Sequence, residues 1–423
     1  MDLRLRPLAE LDPRAAPLPH GTEVITGVDR VHGERRVPQG TLGRVVKTGD
    51  ESAIDVAIVG VGVLRYARAE LSPRRTGQLL YAQRRAASWD ALTPCIVLET
   101  TVGSSACGLA DESSDIDRRG AFALPFPWTT GLVAPPEDLV SADGNATYWA
   151  AGKTIRQALR ADPNTLEMLF VASATAKDEI GAWLLEARDA FVSTEIYGSF
   201  GRYALAQLKR LEQGLRLAEH RTTLLEWLAK EPSLSLDELA SRLARVTPRA
   251  APTEADRLHM AKEHVKQTYR SLFDQGLLDA NDLPSLARFA STSPRALELP
   301  RELRPKNAYN LLRLIVTAAG WLRTGVPDFE AKGAFRDRLL AIKHGTVPLA
   351  DVLAEAEALA PDLEAARDAS KLPRRPDLAR ADALLKKMSE EVARRWVGRE
   401  PGPFGADAPS PPACGWADDV EPT

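Results

Sequence analysis

Val102-Gly103-Ser104-Ser105-Ala106-Cys107-Gly108-Leu109-Ala110-Asp111-Glu112-Ser113-Ser114-Asp115-Ile116-Asp117 follows an apolar run, Cys95-Ile96-Val97-Leu98-Glu99-Thr100-Thr101-Val102, and reaches Asp-x-Asp about ten residues after its Gly-Ser pair. Two aspartates separated by one residue on a strand point to the same face, because the side-chain period of a strand is two. Asp115 and Asp117 therefore meet as like charges, which is unfavourable unless a cation sits between them. Hard carboxylate oxygens with open positions suit Mg²⁺. The Gly103-Ser104 turn supplies the complementary part, since backbone without a Cβ approaches a phosphate closely and a hydroxyl donates to it. Either half alone is commonplace: Asp-x-Asp also ends solvated strands, and Gly-Ser is an ordinary turn. The ordered series of apolar strand, Gly-Ser, Asp-x-Asp and a second apolar run, Ala121-Phe122-Ala123-Leu124, is what points to a triphosphate-and-metal site for nucleotidyl transfer.

These residues resemble the Gly-Ser…Asp-x-Asp signature of the DNA polymerase beta-like nucleotidyltransferase superfamily. More narrowly, they resemble the RNA-repair-pathway DNA polymerase beta family of predicted nucleotidyltransferases, which typically reads Gly-Ser-Arg-aromatic-Gly-Leu…Ser-Asp-x-Asp-x-Arg-Gly. Gly103, Ser104, Gly108, Leu109, Ser114, Asp115, Asp117, Arg119 and Gly120 match. Ser105 and Cys107 stand where that family usually has Arg and an aromatic residue, a departure that bears on ligand affinity and not on the metal pair.

Composition bounds the reading. With 423 residues, 44% hydrophobic and 27% charged, the chain is long enough for two or three cores. A net charge of -3 does not announce a nucleic-acid partner. Arg65, Arg68, Arg74, Arg75, Arg84 and Arg85 concentrate positive charge locally, as a basic patch or as a solvated face. Cys95, Cys107 and Cys414 show neither metal-ligand spacing nor an even disulfide framework, and the default is a reduced, cytoplasmic setting. His259 and His264, five apart, do not share a helix face, so no zinc site is expected. No apolar run reaches membrane-spanning length and no signal-peptide core stands at the N terminus, so no membrane association is expected.

In chain order, residues 1–20 read as a flexible arm. Residues 21–76 hold short β-prone runs between glycine turns and suggest a small SH3-like barrel. Residues 77–195 carry the catalytic motifs, starting with a helix over 77–92. Residues 196–396 are helical, with a tolerated insertion at about 232–256 between Pro232 and Pro248. The Pro-, Gly- and Asp-dense residues 397–423 read as a disordered tail.

Two helices extend the candidate site. From about 150 to 161, ended by Asp162-Pro163, Ile155, Ala158 and Leu159 form a buried stripe while Lys153, Gln157 and Arg160 share another face. The segment resembles the family's Lys-x-x-Arg-x-Ala-Leu…Pro-Asn-x-Leu-Glu-x-Leu block at Lys153, Leu159, Asn164, Leu166, Glu167 and Leu169. From Pro305 to Arg323, Leu311, Leu312, Ile315, Ala319 and Leu322 make a core stripe, and Lys306, Asn310, Arg313 and Thr317 a polar one. By periodicity alone that polar stripe is a ligand face or a solvated one. Its resemblance to the family's Lys-x-Ala-Tyr-His-Leu-x-Arg-Leu motif, with Asn310 in place of His, implies ligand contact at Lys306 and Arg313.

The expected fold is α+β: a polymerase beta-like nucleotidyltransferase core with a C-terminal helical domain and an N-terminal SH3-like β-barrel. The expected reaction transfers a nucleotidyl group from an NTP to an acceptor hydroxyl, an RNA 3′ end being the acceptor that the family name implies. Asp115 and Asp117 would hold two Mg²⁺ ions, with Mn²⁺ as an alternative, while Gly103 and Ser104 cradle phosphates and Lys153, Lys306 and Arg313 add positive charge. A third carboxylate is needed to activate the acceptor. The resembling family tends to place it where this chain has Ala150, so Asp143 is the nearest upstream candidate, ahead of Asp138. The alternative is a degenerate nucleotidyltransferase that binds nucleotide or RNA without catalysis.

Overall fold

The computed structural model describes residues 18, 20–32, 35–48, 53–58, 61–74, 85–111, 114–131, 134–246, 253–274, 277–292 and 307–411. The first strands are β1 (Glu23–Thr26), β2 (Arg30–His32), β3 (Arg35–Val37), β4 (Leu42–Thr48), β5 (Ala53–Ile58), β6 (Gly62–Ala67) and β7 (Leu71–Pro73). Helix α1, described over 85–92, leads to β8 (Ile96–Val102), the single turn α2 (Gly103–Ala106), β9 (Asp117–Phe122) and α3 (Phe126–Thr129). Then come β10 (Asp138–Val140), β11 (Ala146–Ala150), α4 (Ala151–Leu159), α5 (Pro163–Phe170), β12 (Thr175–Ala176) and α6 (Glu179–Glu186). The remaining helices are α7 (Tyr203–Lys230), α8 (Leu236–Val246), α9 (Glu254–Asp274), α10 (Leu283–Thr292), α11 (Ala308–Thr324), α12 (Gly333–Lys343), α13 (Leu349–Ala358), α14 (Ala360–Asp368) and α15 (Leu378–Val397).

Two compact units emerge, one drawn from Met1–Thr22, Arg75–Lys209 and Pro305–Thr423, the other from Glu23–Arg74 and Arg210–Arg304. The helical region expected over 196–396 is therefore not one body: its middle third groups with the N-terminal strands. That middle third has its own core, in which Leu224, Leu228, Leu239, Leu243, Val265, Leu272 and Leu286 pack together from α7 to α10. The expected insertion supplies α8 to this core. Ser235 and Glu238 start α8 with a capping box, the Ser235 hydroxyl accepting from the Glu238 N–H and Glu238 accepting from the Ser235 N–H.

In the same unit, β6-β5-β4-β1-β7 form an antiparallel sheet. Alternation is clean in β5, where Ile54, Val56 and Ile58 are buried. The edge strands β6 and β7 do not pair with each other among the described residues, so the sheet is not closed and the expected SH3-like barrel is not shown. Closure depends on long-range pairing that alternation and glycine turns do not encode.

The other unit carries the mixed sheet β10-β11-β9-β8-β12, with β9 antiparallel to β8 and parallel to β11. At Gly120 the strands leave no room for a side chain: a Cβ would lie 2.0 Å from the Leu98 carbonyl oxygen and 2.6 Å from the Tyr148 ring. Helix α11 is bound to this module by Trp321, whose buried indole meets Phe170, Phe200 and Phe329 edge-on at 5.0, 6.0 and 5.8 Å. Residues 398–411, expected as disordered tail, pack onto the unit instead. Phe404 is buried, and the Trp128 indole N–H donates to the Pro409 carbonyl at 2.6 Å. Proline and glycine density signals a lack of regular structure, and here that is irregular but docked chain. Of the expected arm, Leu18 is buried and the His20 N–H donates to Ala142. Among the described residues no helix is long and apolar enough to cross a membrane.

Candidate active site

The apolar run forms β8, and its last residue, Val102, pairs with Asp117, the first residue of β9. Between them the chain turns at Gly103, whose φ of +69° lies in the left-handed region that glycine adopts at little cost. A Cβ at Gly103 would also lie 3.0 Å from an Asp117 carboxylate oxygen, which would have to give way by a few tenths of an ångström. The Gly-Ser turn and the second aspartate are thus neighbours because of sheet register. Arg119, two residues along β9, shares that face and lies over the Trp149 ring at 6.0 Å.

These residues form one wall of a cavity of about 840 Å³. Gln157, Arg160, Asp162, Asn164 and Glu167 of the α4–α5 region form a second wall, and Tyr309, Asn310 and Arg313 of α11 a third, with Ser199 and Tyr203 closing the rim. Asp162 caps α5, accepting from the Thr165 N–H at 2.9 Å. Glu167 accepts the Gly103 N–H at 3.0 Å and Arg313 Nη2 at 2.8 Å. Arg313 is 4% exposed and also donates to Asn310 Oδ1 from Nε and Nη2 at 3.1 and 2.7 Å. Burial works against the Arg313 charge, but Glu167, with Cys107 and Tyr309, outweighs it and raises its pKa. Burial likewise pushes the Cys107 thiol up to about 12, so it is no nucleophile at neutral pH. The Tyr309 hydroxyl is raised too, by burial first, with the negative charges of Asp117 and Glu167 adding to the effect.

The sequence-derived candidates divide. Gly103, Ser104, Asp117 and Arg313 converge on the cavity. Gly103 gives its N–H to Glu167, and Arg313 gives Nη2 and Nε to Glu167 and Asn310 while its buried Nη1 has no hydrogen-bond partner among the described residues. Asp115 lies before β9 begins, exposed and outside the cavity lining, so the strand argument that paired it with Asp117 does not hold in the structure. Lys153 is turned away: its Nζ donates to both Asp138 oxygens at 2.8 and 2.7 Å. Asp143 sits in the β10–β11 turn, where its carboxylate accepts from the Ser141 hydroxyl at 2.5 Å and the Asn145 N–H at 3.1 Å. Partial burial raises its pKa, but these hydrogen bonds win and hold it below the usual carboxylate range. That is a turn-forming role, outside the cavity. Lys306 lies outside the described residues. Strand β11, Ala146–Ala150, contains no acid, and Ala150 is in register with Phe122 at the far end of β9, about 16 Å of strand from Asp117.

Sequence reasoning missed Glu167 as a site residue. The signal was there: a lone carboxylate inside Leu166-Glu167-Met168-Leu169-Phe170 must be buried with a partner if that helix is buried.

The donor set can be weighed against Mg²⁺. Mg²⁺ bound with a nucleotide needs only one or two protein carboxylates, its other ligands being phosphate oxygens and water. Asp117, beside the space that a Cβ at Gly103 would fill, meets that need for one ion. The two-ion set is not assembled: Asp115 is outside the lining, β11 brings no acid, and no group of three potential ligands occurs among the described residues.

Comparison with curated proteins and with solved structures returns no match. Comparison with protein families returns one that spans both motif blocks and α11: the chain, over residues 82–387, belongs to the RNA repair pathway DNA polymerase beta family, a family of polymerase beta-like predicted nucleotidyltransferases.

Proposed function

We propose that the protein is a Mg²⁺-dependent nucleotidyltransferase that transfers a nucleotidyl group from an NTP to an acceptor hydroxyl, with an RNA 3′ end as the acceptor class that the family description suggests. One observation carries this reading: Asp117 and the Gly103-Ser104 turn, separated along the chain, share a cavity wall because Val102 and Asp117 are strand partners. Ser104 would meet the phosphates, and Asp117 would hold the ion that accompanies them. When bound, that ion offsets charge developing at the α-phosphorus. Arg119 on the same wall and Arg160 on the second wall supply positive charge.

A second reading has its own observation. With no carboxylate on β11, Asp115 outside the cavity lining, Asp162 capping α5 and Glu167 held by Gly103 and Arg313, no further carboxylate stands ready for the acceptor proton among the described residues, and the protein would bind nucleotide or RNA without transferring it. Incubation with each α-³²P-labelled NTP, Mg²⁺ and total RNA separates the two. Label in RNA supports transfer. Saturable NTP binding with no labelled product supports the second reading, and neither binding nor label contradicts both.

A further inference from the structure

Glu167 is a carboxylate in the wall of a cavity read as a triphosphate site, where its charge alone would repel the ligand. Its side chain is 9% exposed, and its two oxygens accept separately from the Gly103 N–H and from Arg313 Nη2, with the Cys107 thiol 4.0 Å from the oxygen that Gly103 uses. A carboxylate accepts from both through separate oxygens, whereas an amide has a single acceptor oxygen. Arg313 in turn gives its Nη2 and Nε to Glu167 and Asn310.

We propose that Glu167 and Arg313 are positioning residues of the triphosphate site: Glu167 fixes Gly103 so that Ser104 faces the phosphates beside Asp117, and Arg313 cancels the charge Glu167 would otherwise turn on them. The proposal rests on the nucleotidyltransferase reading and assigns the pair to the triphosphate and not to the base. Its effect is therefore common to all four NTPs and to inorganic triphosphate. It also reverses the role expected from the sequence, in which Arg313 touches phosphate itself.

The two roles separate in a double-variant experiment. Arg313→Gln leaves Glu167 charged and uncompensated beside the ligand. In the double variant Glu167→Gln/Arg313→Gln the charge is gone. The amide introduced at position 167 can accept the Gly103 N–H through its carbonyl oxygen and donate to the amide introduced at position 313. Titration calorimetry with Mg²⁺ and inorganic triphosphate, repeated with each NTP, reads the affinity, and thermal unfolding reads the fold. Arg313→Gln is expected to weaken binding by about 10- to 100-fold, the scale of a charge-assisted interaction. The double variant is expected to return to within about 5-fold of wild type, since the repulsion has been removed with its source.

A double variant as weak as Arg313→Gln overturns the proposal and means that Arg313 meets phosphate directly. Wild-type affinity in both variants, whatever their unfolding temperatures, overturns it in favour of a purely structural salt bridge. Should Arg313→Gln fail to fold, the double variant alone decides: near wild-type affinity supports the proposal and a loss beyond about 10-fold, about 1.4 kcal/mol, overturns it. Failure of the underlying reading shows elsewhere, as wild type that binds no triphosphate with Mg²⁺, and overturns both.

Discussion

Asp117 occupies the cavity because a strand pair puts it beside a glycine turn, and the residues around it follow the same logic of pairing. Arg313 and Lys153 are both cations on the expected helices, yet each is held by a carboxylate. Glu167 keeps Arg313 inside the cavity wall, while Asp138 keeps Lys153 outside it. Lys153→Ala should therefore leave NTP affinity within about twofold of wild type and cost at most about 1 kcal/mol of stability, the scale of an exposed ion pair. Titration and denaturant unfolding of that variant check this, and a tenfold loss of affinity would restore Lys153 to the site. The strands that flank the motif were legible in the two apolar runs, and their pairing is what brings Gly103, Ser104 and Asp117 to one cavity. The partners of Lys153 and Arg313 were not, because they lie 15 and 146 positions away and periodicity carries no information about which charge waits across a cavity. The alternation argument for Asp115 failed for a smaller reason: β9 starts two residues later than that argument required.

The two helices at the site were read well from their repeating apolar stripes, while residues 77–84 of the helix expected over 77–92 lie outside the described residues. Expected spans of about 150–161 and 305–323 correspond to Ala151–Leu159 and Ala308–Thr324. What periodicity missed is that α11 is enclosed, with Arg313 and Thr317 of its polar stripe buried beside the apolar one. An enclosed helix carries polar groups inward only when a partner meets them, and Glu167 does so for Arg313. The enclosure centres on Trp321. Trp321→Ala should cost about 3–5 kcal/mol by the cavity it leaves among three aromatic rings. Because that packing fixes α11, the cavity wall of Tyr309, Asn310 and Arg313 should loosen with it. Denaturant unfolding reads the stability and NTP titration the wall. A cost below about 1 kcal/mol would mean that Trp321 is a bystander. The unclosed sheet of β1 and β4–β7 shows the converse limit, since the β-prone runs matched β1 and β4–β6 but neither picked out β7 nor revealed how the edges end.

At the scale of the molecule, linear domain boundaries were the least legible feature, because a domain is defined by contacts and the chain leaves one unit within α7 and returns near 305. The second unit carries its own signature. His220 and His264, on α7 and α9, meet edge-on at 5.7 Å. Burial, with the nearby charges of His220 and Arg221, holds the His264 pKa down at about 4. The unfolded chain takes up that proton near 6.5 while the folded chain refuses it until about 4, so the unfolded state binds more protons in between. Stability contributed by this group is thus intact above about pH 6.5 and falls as pH drops toward 4, by about 2 kcal/mol at about 1.4 per pH unit after allowance for partial exposure. Denaturant unfolding at pH 7 and pH 4.5 should show the fall in wild type and a flatter profile in His264→Gln. Equal slopes would remove His264 from the explanation.

Asp117 as the carboxylate that meets Mg²⁺-bound triphosphate is the claim on which the rest depends. Its most direct test is Mg²⁺-dependent transfer of labelled nucleotide by Asp117→Asn beside wild type, with far-UV circular dichroism as the control for folding. An unchanged spectrum is expected, with a loss of transfer of about 10²-fold or more, the scale of several kcal/mol of transition-state charge stabilisation. Asp117→Asn turning over at the wild-type rate would contradict it.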